Sequence, residues 1–172
     1  GETFDCANLS IRTLVQFAYE NQLPVRFKDY KPGVDKDPEF DNDNYGFVDK
    51  KGKQVSFEKG QWERLSKNIE GSYGAPDLFN NNNIATDKSW DDLKAGDLIG
   101  IKYSDRVFHS QTIIGVSSPA LWFDKYTTIQ GSLHGGEGVP AYKKEYYIMG
   151  MKGEGDKSKP RTWNFKFFDI TK

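Results

Sequence analysis

From Cys6 to about Gln22 the apolar residues Ile11, Leu14, Val15, Ala18 and Tyr19 recur at helical spacing, with Arg12, Gln16 and Glu20 opposite. This pattern predicts an amphipathic helix ended by Asn21 and Pro24. Asp5 stands before it as an N-cap, which puts Cys6 in the first turn. A second helix is predicted over 57–69, with Trp62, Leu65 and Ile69 on its buried side, and a short helical turn over 75–81. From Ala95 onward the period changes. The segments 97–103, 108–116, 121–130, 145–151 and 163–170 are short, aromatic or β-branched and separated by turn residues, so they read as strands. The charged stretch 153–160 reads as a loop before the last of them. Helices first and strands afterwards imply an α+β fold, an antiparallel sheet with the helices packed on it.

At 172 residues the chain is long enough for one domain with a proper core, and we expect a single domain over 1–172 with a polar insertion at about 28–56. Aromatics at 15% offset a modest apolar content, because each buries a large area. Within the insertion, Asp41-Asn42-Asp43-Asn44 invites comparison with a calcium loop. Counted from Asp41, position 6 is Gly46 as such a loop requires, but position 12 is Gly52 where a bidentate Glu is needed. A solvated loop is the better reading, and no metal or other cofactor is expected. The net charge of −1 gives no electrostatic footprint for nucleic acid, and no apolar run reaches the roughly 18 residues of a membrane span. No stretch has the pattern of a cleavable signal peptide, and Gly1 in place of Met points to a trimmed chain or excised domain.

Cys6 is the only cysteine, so it has no internal disulfide partner, and the choice is between a small core residue and a nucleophile. Its place at the positive end of a helix favours the nucleophile, since the macrodipole and free N–H groups stabilise a thiolate. Asp5 works against this, so the helix terminus and a nearby imidazolium must outweigh it. A nucleophile needs a base, and the base a third group to orient it. Of the two histidines, His109 starts a predicted strand and could point to a face shared with the N-terminal helix. If that strand pairs with the next as a hairpin, Gln130 comes near His109, and its carbonyl can hold one ring nitrogen while the other faces the thiol. His134, in the Gly-rich stretch Ser132-Leu133-His134-Gly135-Gly136, is the alternative orienter or a substrate contact. Trp90, Trp122 and Tyr126 are candidates to line a substrate groove.

Four segments, in order, carry a resemblance. Phe4-Asp5-Cys6-Ala7-Asn8-Leu9 resembles the F-D-C-S-G-L element of the NlpC/P60 family of papain-like cysteine peptidases. Leu93-Lys94-Ala95-Gly96-Asp97-Leu98-Ile99 is similar to its L-x-P-G-D-L-V, and His109-Ser110-Gln111-Thr112-Ile113-Ile114-Gly115 to its catalytic H-V-G-I-Y-I-G strand. Ile129-Gln130-Gly131-Ser132 takes the place of I-H-A-S, which carries the third polar residue. Ala7-Asn8 replaces Ser-Gly and Gln130 replaces His; neutral amides serve as orienters in papain-like enzymes. Residues 28–92 and the C-terminal strands have no counterpart among these motifs.

The resemblance implies a papain-like fold with the catalytic helix on an antiparallel sheet, catalysis by Cys6, His109 and Gln130, and no cofactor. It further implies a peptidoglycan endopeptidase or amidase cleaving stem peptides, secreted or delivered to the bacterial periplasm or cell wall. The long polar insertion fits an antibacterial effector toxin, which would have a cognate immunity protein plugging its cleft. Two alternatives remain open: a papain-like acyltransferase or protein deamidase using the same Cys-His pair, and an inactive binding module in which Cys6 is structural.

Overall fold

The computed structural model describes residues 2–21, 63, 66, 67, 70, 71, 73–80, 85–118, 124–134 and 137–163, with only the backbone described at Ala18, Leu133 and His134. Two compact units are distinguished: residues 1–10 with 75–163, and residues 11–74 with 164–172. The predicted insertion, the Asp41–Asn44 run, the apolar residues Trp62, Leu65 and Ile69, and Trp122 lie outside the described residues.

Helix α1 runs Cys6–Glu20, starting where the N-cap pattern placed it. In the second unit, Glu63, Ser66, Lys67 and Glu70 have helical backbone. There Arg12 Nε and Ser66 Oγ both donate to Glu70 Oε1, at 2.9 and 2.5 Å. The pair is largely withdrawn from water, so each group needs the other to offset its desolvation.

The first unit is built on one antiparallel sheet. Its strands are β1 (Ala85–Asp87), β2 (Leu98–Lys102), β3 (Phe108–Ser117), β4 (Lys125–Gln130), β7 (Tyr142–Tyr147) and β8 (Ser158–Trp163), in the order β1-β8-β2-β3-β4-β7. A separate two-stranded ribbon pairs β5 (Leu133–His134) with β6 (Glu137–Gly138). Helix α2 (Ala75–Asn80) and helix α3 (Ile148–Lys152) complete it, with 3-10 turns at Trp90–Asp92 and Gly155–Lys157. The α+β architecture with an antiparallel sheet therefore stands.

Alternation along the strands assigns the two faces. On one, Ile99, Ile101, Ile113 and Tyr126 form a buried cluster with Leu93 and Ile148, flanked by Trp90, Tyr146 and Met151. Each fully buried side chain of this size contributes roughly 1.5–3 kcal/mol. The other face receives α2 and Ser10 near the start of α1. There Phe79 lies against Gly100, where a Cβ would come within 2.8 Å of Phe79 Cδ2. Backbone and ring approach that closely only because the strand carries glycine.

Two expectations fail near the C-terminal end. The segment 145–151 is not one strand: β7 stops at Tyr147 and the chain turns into α3. Ile148 is buried and Met151 packs on the core while Met149 is exposed, a spacing of three that alternation misread. The stretch 153–160 is not a loop throughout, because β8 begins at Ser158 and sits inside the sheet. Pro160 is tolerated there because its carbonyl accepts from Lys88 N, at 3.0 Å, beyond the end of β1. Its missing N–H lies on that same side, so the ladder to β2 loses nothing. Of the predicted strand 163–170 only Trp163 is described, and it closes β8. The short β1 was not foreseen.

Candidate active site

The start of α1 is fastened just before Cys6. Phe4 N donates to Val139 O at 2.9 Å, and Phe4 O accepts from Ser132 N at 3.1 Å. Asp5 Oδ1 accepts from Asn8 N at 2.7 Å, and Asp5 O begins the helical ladder by accepting from Leu9 N at 3.2 Å. This is N-capping, and it consumes donors a first turn otherwise leaves unpaired. The Phe4-Asp5 backbone runs directly over Gly131. A Cβ there would come within 2.7 Å of the Phe4 carbonyl oxygen and closer still to that of Asp5. Both neighbours are backbone, so only glycine fits.

The β3–β4 ladder ends at Thr112–Ile129, and beyond it Gln130 pairs with Tyr142 of β7. Cys6 enters at this opening. Its thiol meets the N–H and hydroxyl of Ser110 and the N–H of Ala7. A ladder of hydroxyls steadies the contact: Thr112 Oγ1 donates to Ser10 Oγ at 3.0 Å, Ser10 Oγ donates to Cys6 O at 3.1 Å, and the Ser10 and Ser110 oxygens lie 3.3 Å apart.

Those contacts turn Ser110 and Thr112 toward α1, so alternation sends His109 and Gln111 to the other face. The expectation that His109 shares a face with the helix is thus corrected. Cys6 touches Ser110, the residue next to His109, and Tyr103, whose ring stacks on His109, lies close enough to interact with Cys6 electrostatically. No hydrogen bond joins Cys6 to His109 among the described contacts.

On its own face His109 is held closely. Its Nε2 lies 2.9 Å from Gln130 Oε1. Gln130 Nε2 donates to Thr128 Oγ1 at 2.6 Å and to Tyr146 Oη at 2.9 Å, and Tyr142 Oη donates to Gln130 Oε1 at 3.4 Å. The Tyr103 ring stacks on the imidazole with centroids 6.4 Å apart, while 64% of Tyr103 remains exposed.

Burial dominates the titration of both groups. It pushes the Cys6 thiol up, with the Asp5 carboxylate adding to the rise, while the Ser110 N–H, the Ser110 hydroxyl and the Ala7 N–H pull it back. Burial pushes His109 down; the Gln130 hydrogen bond opposes this and Lys144 reinforces it. Both shifts favour neutral forms. The direction of the Cys6 shift runs against the thiolate expected from the helix terminus.

The remaining candidates divide. Tyr126 is fully buried in the core and lines no groove. Its ring lies 6.3 Å from that of Trp90, which packs on the same core. Trp90 also borders a cavity of about 540 Å³ with Lys88, Lys152, Ser158 and Lys159, away from Cys6 and His109. His134 lies in β5, its side chain outside the description. Among the described residues no group of His, Cys, Asp or Glu is arranged to hold a metal ion, and no helix is long and apolar enough to cross a membrane. Sequence reasoning missed Ser110, Thr128, Tyr142, Tyr146 and Tyr103. Thr128 was open to inference, standing two residues before Gln130 on the same strand face. Tyr142 and Tyr146 required the β4–β7 register.

Compared with known proteins, the chain matches no family model, and neither a curated protein nor a solved structure shows significant similarity to it.

Proposed function

We propose that the protein is a papain-like cysteine hydrolase that cleaves amide bonds in peptidoglycan stem peptides. The observation that carries this reading is the strand end shared by Cys6 and His109. The Cys6 thiol contacts Ser110, the next residue is His109, and His109 Nε2 is engaged by Gln130 at 2.9 Å. That leaves Nδ1 as the nitrogen that serves the thiol. The peptidoglycan substrate rests on the resemblance of the segments around Cys6, Asp97, His109 and Gln130 to NlpC/P60 peptidases.

Because thiol and imidazole are both neutral at rest, proton transfer accompanies attack. A side-chain rotation brings Nδ1 to the sulfur; such contacts are often long until substrate binds. The sulfur attacks the amide carbonyl as Nδ1 takes its proton. The N–H of Cys6, a first-turn donor with no acceptor in the helical ladder, lies beside the developing oxyanion. The imidazolium then protonates the leaving amine, and water, deprotonated by the same nitrogen, releases the acyl group. Gln130 stabilises the imidazolium by accepting from Nε2.

The test is muropeptide digestion followed by chromatography. Wild-type protein should release new peptide fragments, and Cys6→Ala should release none while its circular dichroism is unchanged. Full activity in Cys6→Ala would overturn the mechanism. Transfer of the acyl group to an added acceptor rather than to water would point to the acyltransferase reading.

A further inference from the structure

The amide of Gln130 can be built in two orientations, and only one makes His109 a base toward Cys6. With Oε1 toward the ring, Nε2 carries the imidazole proton and Nδ1 is left as an acceptor. With the amide turned over, its NH2 would face Nε2, which must then be unprotonated, and the proton would move to Nδ1. Such an imidazole has no lone pair for the thiol proton.

The surroundings of Gln130 choose between these orientations. Thr128 Oγ1 donates its own proton to Lys144 O at 3.2 Å, so toward Gln130 it can only accept. The Gln130 atom 2.6 Å away must therefore be the NH2 nitrogen. Tyr146 Oη takes the second N–H at 2.9 Å. Tyr142 Oη, at 3.4 Å from Oε1, donates on the side where the turned amide would present another donor. Gln130 is buried, so water cannot substitute for a lost partner there. A carboxylate in this place would be symmetric and need no such arrangement; an amide does.

We propose that Thr128 and Tyr146 are positioning residues that fix the Gln130 amide and, through it, the Nε2–H tautomer of His109. They act on the ring at one remove and touch neither the thiol nor the reacting carbonyl. This deepens the hydrolase reading, but the tautomer is read without any substrate.

The experiment is nitrogen NMR of protein with 15N-labelled histidine, at a pH above the titration of His109. The chain has two histidines, so His134→Gln assigns the signals. In the wild type Nε2 should show the shift of a protonated ring nitrogen and Nδ1 that of an unprotonated one. In Thr128→Val/Tyr146→Phe the two signals should move toward each other or exchange places. Unchanged tautomer signals in that variant would overturn the proposal. Should the double variant not fold, Tyr146→Phe alone carries the test, with a smaller shift of the same sign expected and no shift overturning it. Gln130→Glu is the control. In that background the same substitutions should leave the Nε2–H signal in place, because a carboxylate has no wrong way round. Movement there would mean that Thr128 and Tyr146 act through general packing, and would equally overturn the proposal. Correct tautomer behaviour without muropeptide cleavage would sink the hydrolase reading and leave this one standing.

Discussion

On one side of β3 the His109 ring ends a chain of hydrogen bonds in which Gln130, Thr128 and Tyr146 have settled partners. At the same strand end the Cys6 thiol is met by two donors from Ser110 and one from Ala7, with the Asp5 carboxylate close enough to oppose them. Burial raises the thiol and lowers the imidazole, so desolvation makes both groups harder to charge. The difference lies in what surrounds each. The histidine side is organised to hold a ring and a proton in place, and the cysteine side to receive a negative charge when one forms. A site divided in this way favours uncharged forms of both groups at rest.

The largest expected effect follows from burial, the first cause of shift on both sides. Cys6 is raised above its ordinary value of 9.0, so its contribution to stability is fully present below pH 9 and lost as pH rises through the folded value. His109 is lowered from 6.5, so its contribution is present above pH 6.5 and lost as pH falls through the folded value. Urea midpoints measured across pH should fall on both flanks of a plateau between these two values. Cys6→Ala should flatten the alkaline flank up to about pH 10, where buried Tyr126, also raised, takes over. His109→Gln should flatten the first part of the acid flank and leave the alkaline one alone. Curves for both variants parallel to the wild type would show that burial is not what sets these titrations.

How far the sequence shows this division can be traced residue by residue. The surroundings of Cys6 were readable because their determinants are local: Asp5, Cys6 and the amphipathic repeat lie within a few turns of one another, and capping follows from such neighbours. The hairpin of β3 and β4 was readable from β-branched runs, and with it the meeting of His109 and Gln130. The face His109 would take was not. That depended on Ser10 meeting Ser110 and Thr112, a contact across about a hundred residues. Tyr146 was hidden for a related reason, because β7 was expected to start at residue 145 and no register with β4 could be assigned. Strand β8 was hidden because Ser158-Lys159-Pro160-Arg161 has no apolar alternation. It is held instead by its neighbours and by the buried Arg161, whose guanidinium reaches Asp87 and the Ala85 carbonyl.

A smaller effect tests the cysteine side directly. Asp5 combines a cap that stabilises α1 with a charge that disfavours the thiolate, and Asp5→Asn separates them, since Asn caps about as well. Two charges about 4 Å apart interact by about 1 kcal/mol even in bulk water, so at a fixed pH below the titration alkylation of Cys6 by iodoacetamide should quicken by at least roughly fivefold. The midpoint of the rate against pH should move down while the helical dichroism stays unchanged. No movement, or a move upward, would mean that Asp5 acts on Cys6 only as a cap.

The smallest effect has the opposite sign. Ser110 presents two donors to the sulfur, and its main-chain N–H, the stronger of the two, survives any substitution. Ser110→Ala removes only the hydroxyl, which ranks below the Asp5 charge among the influences on Cys6. A neutral hydrogen bond contributes about 0.5–1.5 kcal/mol net, and the low end applies where a second donor remains. Alkylation should therefore slow by roughly twofold to threefold, with the midpoint moving up. The His109 tautomer should not change, because Ser110 faces α1 and the Gln130 network lies on the other side of the strand. Had the two sides been one connected network, Ser110→Ala would disturb the imidazole signals as well. Finding them unmoved while the thiol titration shifts would show that the Ser110 hydroxyl and the Gln130 network act independently across β3.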